Sequence, residues 1–68
     1  MTNTALLRFR IKESGYKMSF LAKEICVSPY GFQRKVDGLN EFTASEIKIL
    51  SDRLGLSITD RDVIFFAA

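Results

Sequence analysis

Two short amphipathic segments lie almost end to end between Ser19 and Val36, in the stretch SFLAKEICVSPYGFQRKV. The first segment repeats apolar residues at helical spacing and stops near Cys26. The second begins with Ser28 as a candidate N-cap and with the chain's single proline, Pro29, at the first helical position, where its missing N–H is not needed. So short a connection is incompatible with an antiparallel hairpin of long helices. It predicts a helix-turn-helix, in which the second helix crosses the first steeply over a tight turn.

Helical periodicity and residues typical of helix ends divide the chain into five helices. Thr43–Glu46 matches a capping box, and Thr59–Asp62 resembles a second one. The final VIFFAA segment also suits a β-strand, which stays open as the alternative to the last helix. Short loops between such helices predict one compact all-α domain over residues 1–68. The predicted helices cover about 4–14, 18–26, 29–36, the segment between Thr43 and Gly55, and 60–65, and Gly15 ends the first.

The composition excludes several kinds of protein. A chain of 68 residues that is 47% hydrophobic and 26% charged is expected to form one small globular domain. A single cysteine, Cys26, excludes an internal disulfide and favours the cytoplasm, and the lack of histidine leaves a zinc site without its usual ligands. With no phosphate-binding glycine loop, neither an enzyme nor a cofactor is predicted. The sequence also has no apolar run of membrane-spanning length and no apolar leader.

Charge is distributed unevenly along the chain. Residues 1–38 hold seven basic and three acidic side chains, a balance of +4, whereas residues 39–68 hold three basic and five acidic ones, a balance of −2. The first half is therefore the half expected to meet an anionic partner.

Several short motifs occur in an order typical of one family. LA lies in the second predicted helix, VS precedes the third, DG follows it, and LSDRLGLS runs through the fourth. This order resembles the lambda-repressor/Cro-like helix-turn-helix family of five-helix DNA-binding domains, over nearly the whole chain. GFQRKV and FTASEI are similar to the small Cro-like phage and prophage regulators. The resemblance implies a sequence-specific regulator of transcription in a bacterial cell, with double-stranded operator DNA as its partner and the third helix in the major groove.

The resemblance also implies which side chains meet DNA. Gln33 is expected to pair with adenine, and Arg34 with guanine or a phosphate. Gly31 would allow close approach of DNA, or would pack closely against the second helix. An ordinary solvated surface is the alternative for this whole face. The predicted base-reading residues are Pro29, Tyr30, Gly31, Gln33 and Arg34, and the predicted phosphate contacts are Lys17, Met18, Ser28, Lys35 and Asn40.

Three features depart from the family pattern. One is Met18, at a position where the second helix of the family often begins with a glutamine that touches DNA. Cys26 occupies a turn position that often holds glycine; because a left-handed conformation there costs about 1 kcal/mol, the second helix is expected to continue one residue further. Its thiol is expected to be buried. Ile11 and Val36 replace an ion pair that many members have and are expected to touch, which leaves Lys35 facing outward.

The phenylalanines leave the oligomeric state open. Phe42 is expected to close the core ahead of the fourth helix. The tail Val63–Phe66 is expected either to pack on the first and fourth helices or to join a second copy in a C2 homodimer, with two recognition helices about 34 Å apart. A protein-interaction module on the same fold, acting as an antirepressor or antitoxin, is the second functional hypothesis.

Overall fold

The computed structural model describes residues 1–67, and over these residues the regular secondary structure is α-helical, with no strand. The helices are α1 (Thr4–Ser14), α2 (Met18–Glu24), α3 (Pro29–Val36), α4 (Ala44–Leu54) and α5 (Ile58–Phe65). The predicted five-helix all-α domain is confirmed, and the VIFFAA segment is helical as far as Phe65 rather than a strand; its last residue lies outside the described residues. In the part of the chain described, no helix combines the length and the apolar character needed to cross a bilayer.

Side-chain caps set the starts of four helices. Asn3 Oδ1 accepts a hydrogen bond from the Leu6 N–H at 3.1 Å and so begins α1. The predicted capping box at Thr43–Glu46 is confirmed, since Thr43 and Glu46 exchange hydrogen bonds of 2.9 and 3.2 Å. Ser28 caps α3 and Ser57 caps α5 through their side-chain oxygens.

The second predicted capping box is wrong by two residues. The box is formed by Ser57 and Asp60, so α5 begins at Ile58. The sequence contains two overlapping Ser/Thr-x-x-Asp patterns, starting at Ser57 and at Thr59. The structure uses the first, which also brings the Asp60 carboxylate within 3.3 Å of the Arg10 guanidinium of α1.

One buried cluster holds the helices together. A chain of edge-to-face aromatic contacts runs through it: the Phe32 and Phe42 ring centroids are 6.3 Å apart, and those of Phe42 and Phe65 are 5.4 Å apart. Phe42 therefore closes the core, as predicted. The largest fully buried side chains come from all five helices: Leu7, Leu21, Phe32, Val36, Leu50 and Ile64.

The turn after α2 corrects two expectations about Cys26. The helix ends at Glu24, and Cys26 adopts the left-handed conformation with φ of 60°. The Val27 N–H donates to the Ala22 carbonyl at 3.0 Å and the Cys26 N–H to the Lys23 carbonyl at 3.1 Å, which together form a Schellman motif. These two hydrogen bonds offset the cost of the left-handed residue. The motif also turns the thiol outward, so Cys26 is exposed rather than buried.

Candidate nucleic-acid interface

The two faces of α3 differ as the sequence predicted. Phe32 and Val36 are fully buried and anchor the helix. On the opposite face Tyr30 is 72% exposed, Gln33 is exposed and Arg34 is half-buried. Since α3 is only Pro29–Val36, its first two turns carry all the predicted base-reading residues.

The first turn of α3 is built around Ser28. Its Oγ accepts a hydrogen bond from the Gly31 N–H at 3.0 Å, and Pro29 occupies the first helical position. A Cβ on Gly31 would lie 3.2 Å from that oxygen and 3.9 Å from Val27 Cβ, with no atom of α2 within 4 Å. Packing of Gly31 against α2 is therefore wrong; the missing Cβ leaves room for the cap.

Arg34 is positioned by uncharged neighbours. Its guanidinium carbon lies 5.9 Å from the centroid of the Tyr30 ring, within the range of a cation–π contact. With the Asn40 amide in the orientation that satisfies its neighbours, Asn40 Oδ1 accepts from Arg34 Nε at 3.3 Å, and the amide nitrogen donates to the Leu39 carbonyl at 2.9 Å. Arg34 and Asn40, predicted as separate DNA contacts, thus form one unit at the C-terminal end of the exposed face.

Gln33 has an acidic neighbour that sequence reasoning missed. Its Nε2 donates to Asp37 at 3.2 and 3.3 Å from the two carboxylate oxygens. The same carboxylate accepts a hydrogen bond and ion pair from Arg8 of α1. The i, i+4 spacing of Gln33 and Asp37 was a readable signal; the partnership with Arg8, 29 positions away, was not.

Lys35 does not face outward, and that expectation is wrong. Its side chain is only 15% exposed, and its Nζ lies 2.5 Å from Glu46 Oε1 and 6.0 Å from the centroid of the Phe42 ring. The capping box of α4 fixes the Glu46 carboxylate against α3, where it neutralises the ammonium. Burial alone would raise the pKa of Glu46, but hydrogen bonds from Lys35 and from the Thr43 N–H outweigh burial and lower it.

The start of α2 lies beside α3. Lys17 is exposed and gives no side-chain cap, and Met18 is partly buried against the core. A groove of about 480 Å³ lies here between α1, α2 and α3. Its basic and amide lining consists of Arg8, Lys12, Lys17 and Gln33.

In the part of the chain that the structure describes, most basic side chains outside ion pairs belong to the first three helices and the loops between them. Within residues 1–67 the ion pairs are Arg8–Asp37, Arg10–Asp60, Lys35–Glu46, Arg53–Glu24 and Arg61–Asp62. The basic side chains with no acid at ion-pair distance in that range are Lys12, Lys17, Lys23, Arg34 and Lys48. All but Lys48 belong to α1–α3 and the loops between them.

The C-terminal segment does not cover the exposed face of α3. Helix α5 packs mainly on α1 and α4, with Ile64 and Phe65 buried. Val63 and Phe66 remain 49% and 59% exposed, so the tail divides between core and surface. Ile11 and Val36 both belong to the buried cluster, and their direct contact stays a prediction.

Comparison of the chain with protein-family models, curated proteins and solved structures finds no match. Among residues 1–67 no three His, Cys, Asp or Glu side chains are arranged to hold a metal ion. The interpretation of function therefore depends on the geometry and charge of the site itself.

Proposed function

We propose that this protein is a sequence-specific, double-stranded-DNA-binding regulator of transcription, of the Cro-like phage or prophage repressor kind. The observation that carries the proposal is the division of α3, whose apolar face is fully buried while Tyr30, Gln33 and Arg34 lie on the open face. A helix held in this way can enter a major groove without losing core contacts.

The chemistry of the exposed face fits base edges. The Gln33 amide has the donor and acceptor needed for a bidentate pair with adenine, and the Arg34 guanidinium has the donors for guanine. Because Arg34 is held by Tyr30 and Asn40 rather than by an acid, its charge remains available to an anionic partner.

The surroundings of α3 suit a phosphate backbone. Lys17 is the N-cap residue of α2 and Ser28 that of α3. The first backbone N–H groups of a helix, among them that of Met18, have no partner within the helix and can bind a phosphate. Lys35 would reach a phosphate only after leaving Glu46. Contacts of this kind fix the register of a protein on DNA and make its affinity salt-dependent.

Repression would follow from occupancy of the operator, which excludes polymerase from the promoter. No cofactor takes part, and the working compartment would be the bacterial cytoplasm. Val63 and Phe66, together with Ile58 at 71% exposure, offer an apolar surface on α5 for a C2 homodimer. Such a dimer would present two copies of α3 about 34 Å apart, one turn of DNA.

The proposal is tested by selecting duplexes from a randomised library and measuring their affinity by gel shift at several salt concentrations. We expect an enriched sequence whose affinity falls as salt rises. Gln33→Ala and Arg34→Ala should each weaken its binding by about 1–3 kcal/mol. Lys48→Ala, which removes an unpaired charge from the opposite half, should leave binding within about twofold.

A protein-interaction module is the second candidate, favoured by the exposed Ile58 and Phe66. It predicts no enriched duplex and no effect of Gln33→Ala or Arg34→Ala on binding to the protein partner. The absence of an enriched duplex would exclude the DNA-reading role of α3, whereas unchanged binding of both variants to a protein partner would place that partner's contact outside α3.

A further inference from the structure

Gln33 and Asp37 lie one turn apart on the exposed side of α3, and their side chains are joined. Gln33 Nε2 lies 3.2 and 3.3 Å from the two carboxylate oxygens of Asp37. Asp37 Oδ1 also accepts a hydrogen bond from the guanidinium of Arg8, which belongs to α1. The acceptor that Gln33 meets is therefore fixed by two separate helices.

A carboxylate gives the glutamine amide one preferred orientation. An ionised carboxylate only accepts hydrogen bonds, so it attracts the amide N–H and repels the amide oxygen. Rotating the amide by half a turn would place Oε1 against Asp37 and remove both hydrogen bonds. A glutamine without such a neighbour has two terminal orientations of similar energy. In this protein Nε2 faces Asp37, and Oε1 lies on the opposite edge of the amide.

We propose, on the basis of the proposed function, that Asp37 is a positioning residue. It makes Gln33 select bases whose exocyclic amino group lies in the major groove, which are adenine and cytosine. In the major groove adenine N6 and cytosine N4 donate hydrogen bonds, whereas guanine O6 and thymine O4 accept them. An amide that presents Oε1 pairs with the first two and is mismatched to the others. With adenine, the second N–H of Nε2 remains available for N7.

The simpler role for this pair is stabilisation of α3, because Gln–Asp pairs at i, i+4 stabilise exposed helices. If this were its only role, replacing Asp37 would change the unfolding free energy of the protein and would leave the protein's preference among bases unchanged. Base preference is therefore the readout that separates the two roles.

The test compares four duplexes that differ only at the base pair read by Gln33. That base pair is identified first, as the position at which the Gln33→Ala variant no longer prefers one base over the others. Affinities are measured for the wild-type protein, for Asp37→Ala and for Glu41→Ala. Glu41 is exposed and forms no ion pair within residues 1–67, so its removal changes the charge by the same amount. Ratios between duplexes at one salt concentration cancel the sequence-independent phosphate contribution.

We expect the wild-type protein and Glu41→Ala to favour adenine or cytosine over guanine and thymine by about tenfold. Asp37→Ala should reduce that ratio to about threefold or less, and on a Gln33→Ala background it should change nothing further. If Asp37→Ala does not fold, Asp37→Asn keeps the shape and presents either a donor or an acceptor, and it should also lower the ratio. An unchanged ratio in a folded Asp37 variant overturns the positioning role and leaves DNA binding intact. Absence of duplex binding by the wild-type protein overturns both proposals.

Discussion

The two halves of this small domain use their charged side chains differently. In residues 39–67 two of the three basic side chains, Arg53 and Arg61, form ion pairs, and only Lys48 does not. In residues 1–38 four of the seven basic side chains have no acid at ion-pair distance within residues 1–67. A net charge of only +2 thus conceals an uneven distribution, in which most of the unpaired basic side chains belong to the first half of the chain.

Which charged side chains remain unpaired is therefore decided by the tertiary contacts of the fold rather than by the composition of each half. Glu46 belongs to the acidic half by sequence, yet it neutralises Lys35 of α3. Asp37, the acid that ends α3, neutralises Arg8 of α1. After these pairings Arg34 keeps its charge on the outer face of α3, which is the property that the proposed function uses.

Of the changes considered, breaking the Lys35–Glu46 ion pair should have the largest effect on stability and on the balance of charge between the two halves. Glu46→Gln leaves a largely buried ammonium without its carboxylate, so we expect the free energy of unfolding to fall by about 1–3 kcal/mol. The same change frees a cation beside α3, so affinity for duplex DNA should rise. Denaturant unfolding and gel shifts measure the two effects, with Glu41→Gln as the matched control. Stability equal to that of the control would show that the pair contributes little.

In the wild-type protein, acid should remove the contribution of the Lys35–Glu46 ion pair to the free energy of unfolding. The pKa of Glu46 is lowered from its ordinary 4.5, so its stabilising effect is present above that value and is lost as the pH falls through the folded-state pKa. We expect the stability difference between the wild-type protein and Glu46→Gln to shrink below pH 4.5. Urea unfolding between pH 3 and 7, roughly the range over which carboxyl groups titrate, measures it. A difference that is constant with pH would contradict the lowered pKa.

The substitution Cys26→Gly should change the stability of the protein without changing its charge. Relief of the left-handed conformation by Cys26→Gly is worth about 1–2 kcal/mol, and the added chain entropy of glycine offsets about 0.5–1 of it. A net gain between zero and about 1.5 kcal/mol in unfolding free energy is therefore expected, with duplex affinity unchanged. Thermal unfolding and a gel shift check both. Destabilisation would mean that the cysteine side chain contributes more than its exposed position indicates.

Single lysines should give the smallest effects. If Lys17 contacts a phosphate, Lys17→Ala should reduce the slope of log affinity against log salt by about 0.9. Lys48→Ala should leave the slope unchanged, because Lys48 lies in the other half. Equal slopes for the two variants would show that the unpaired lysines act only as general charge.

Much of the fold could be predicted from local signals. Caps and periodicity gave the bounds of α1 and α3, the capping box of α4 and the inner face of α3, because each depends on residues within a few positions of one another. The start of α5 was ambiguous, since Ser57 and Thr59 offer overlapping patterns, and the contact of Asp60 with distant Arg10 accompanies the pattern that is used.

The site was less predictable from the sequence, because several of its contacts join residues that are far apart along the chain. The exposure of Tyr30 and Gln33 followed from helical periodicity. Lys35 was misplaced because its partner Glu46 lies 11 positions away and is presented by another helix. Cys26 was misjudged because its intrinsic preference disfavours a left-handed turn, whereas two backbone hydrogen bonds specify one.

The central claim is that the outer face of α3 meets duplex DNA. The most direct measurement follows backbone and side-chain amide chemical shifts of the full chain by NMR as duplex DNA is added at low salt. We expect the largest shifts between Ser28 and Arg34, including the Gln33 side-chain amide, with smaller ones near Lys17. Shifts confined to Ile58–Phe66, or none at all, would contradict the central claim.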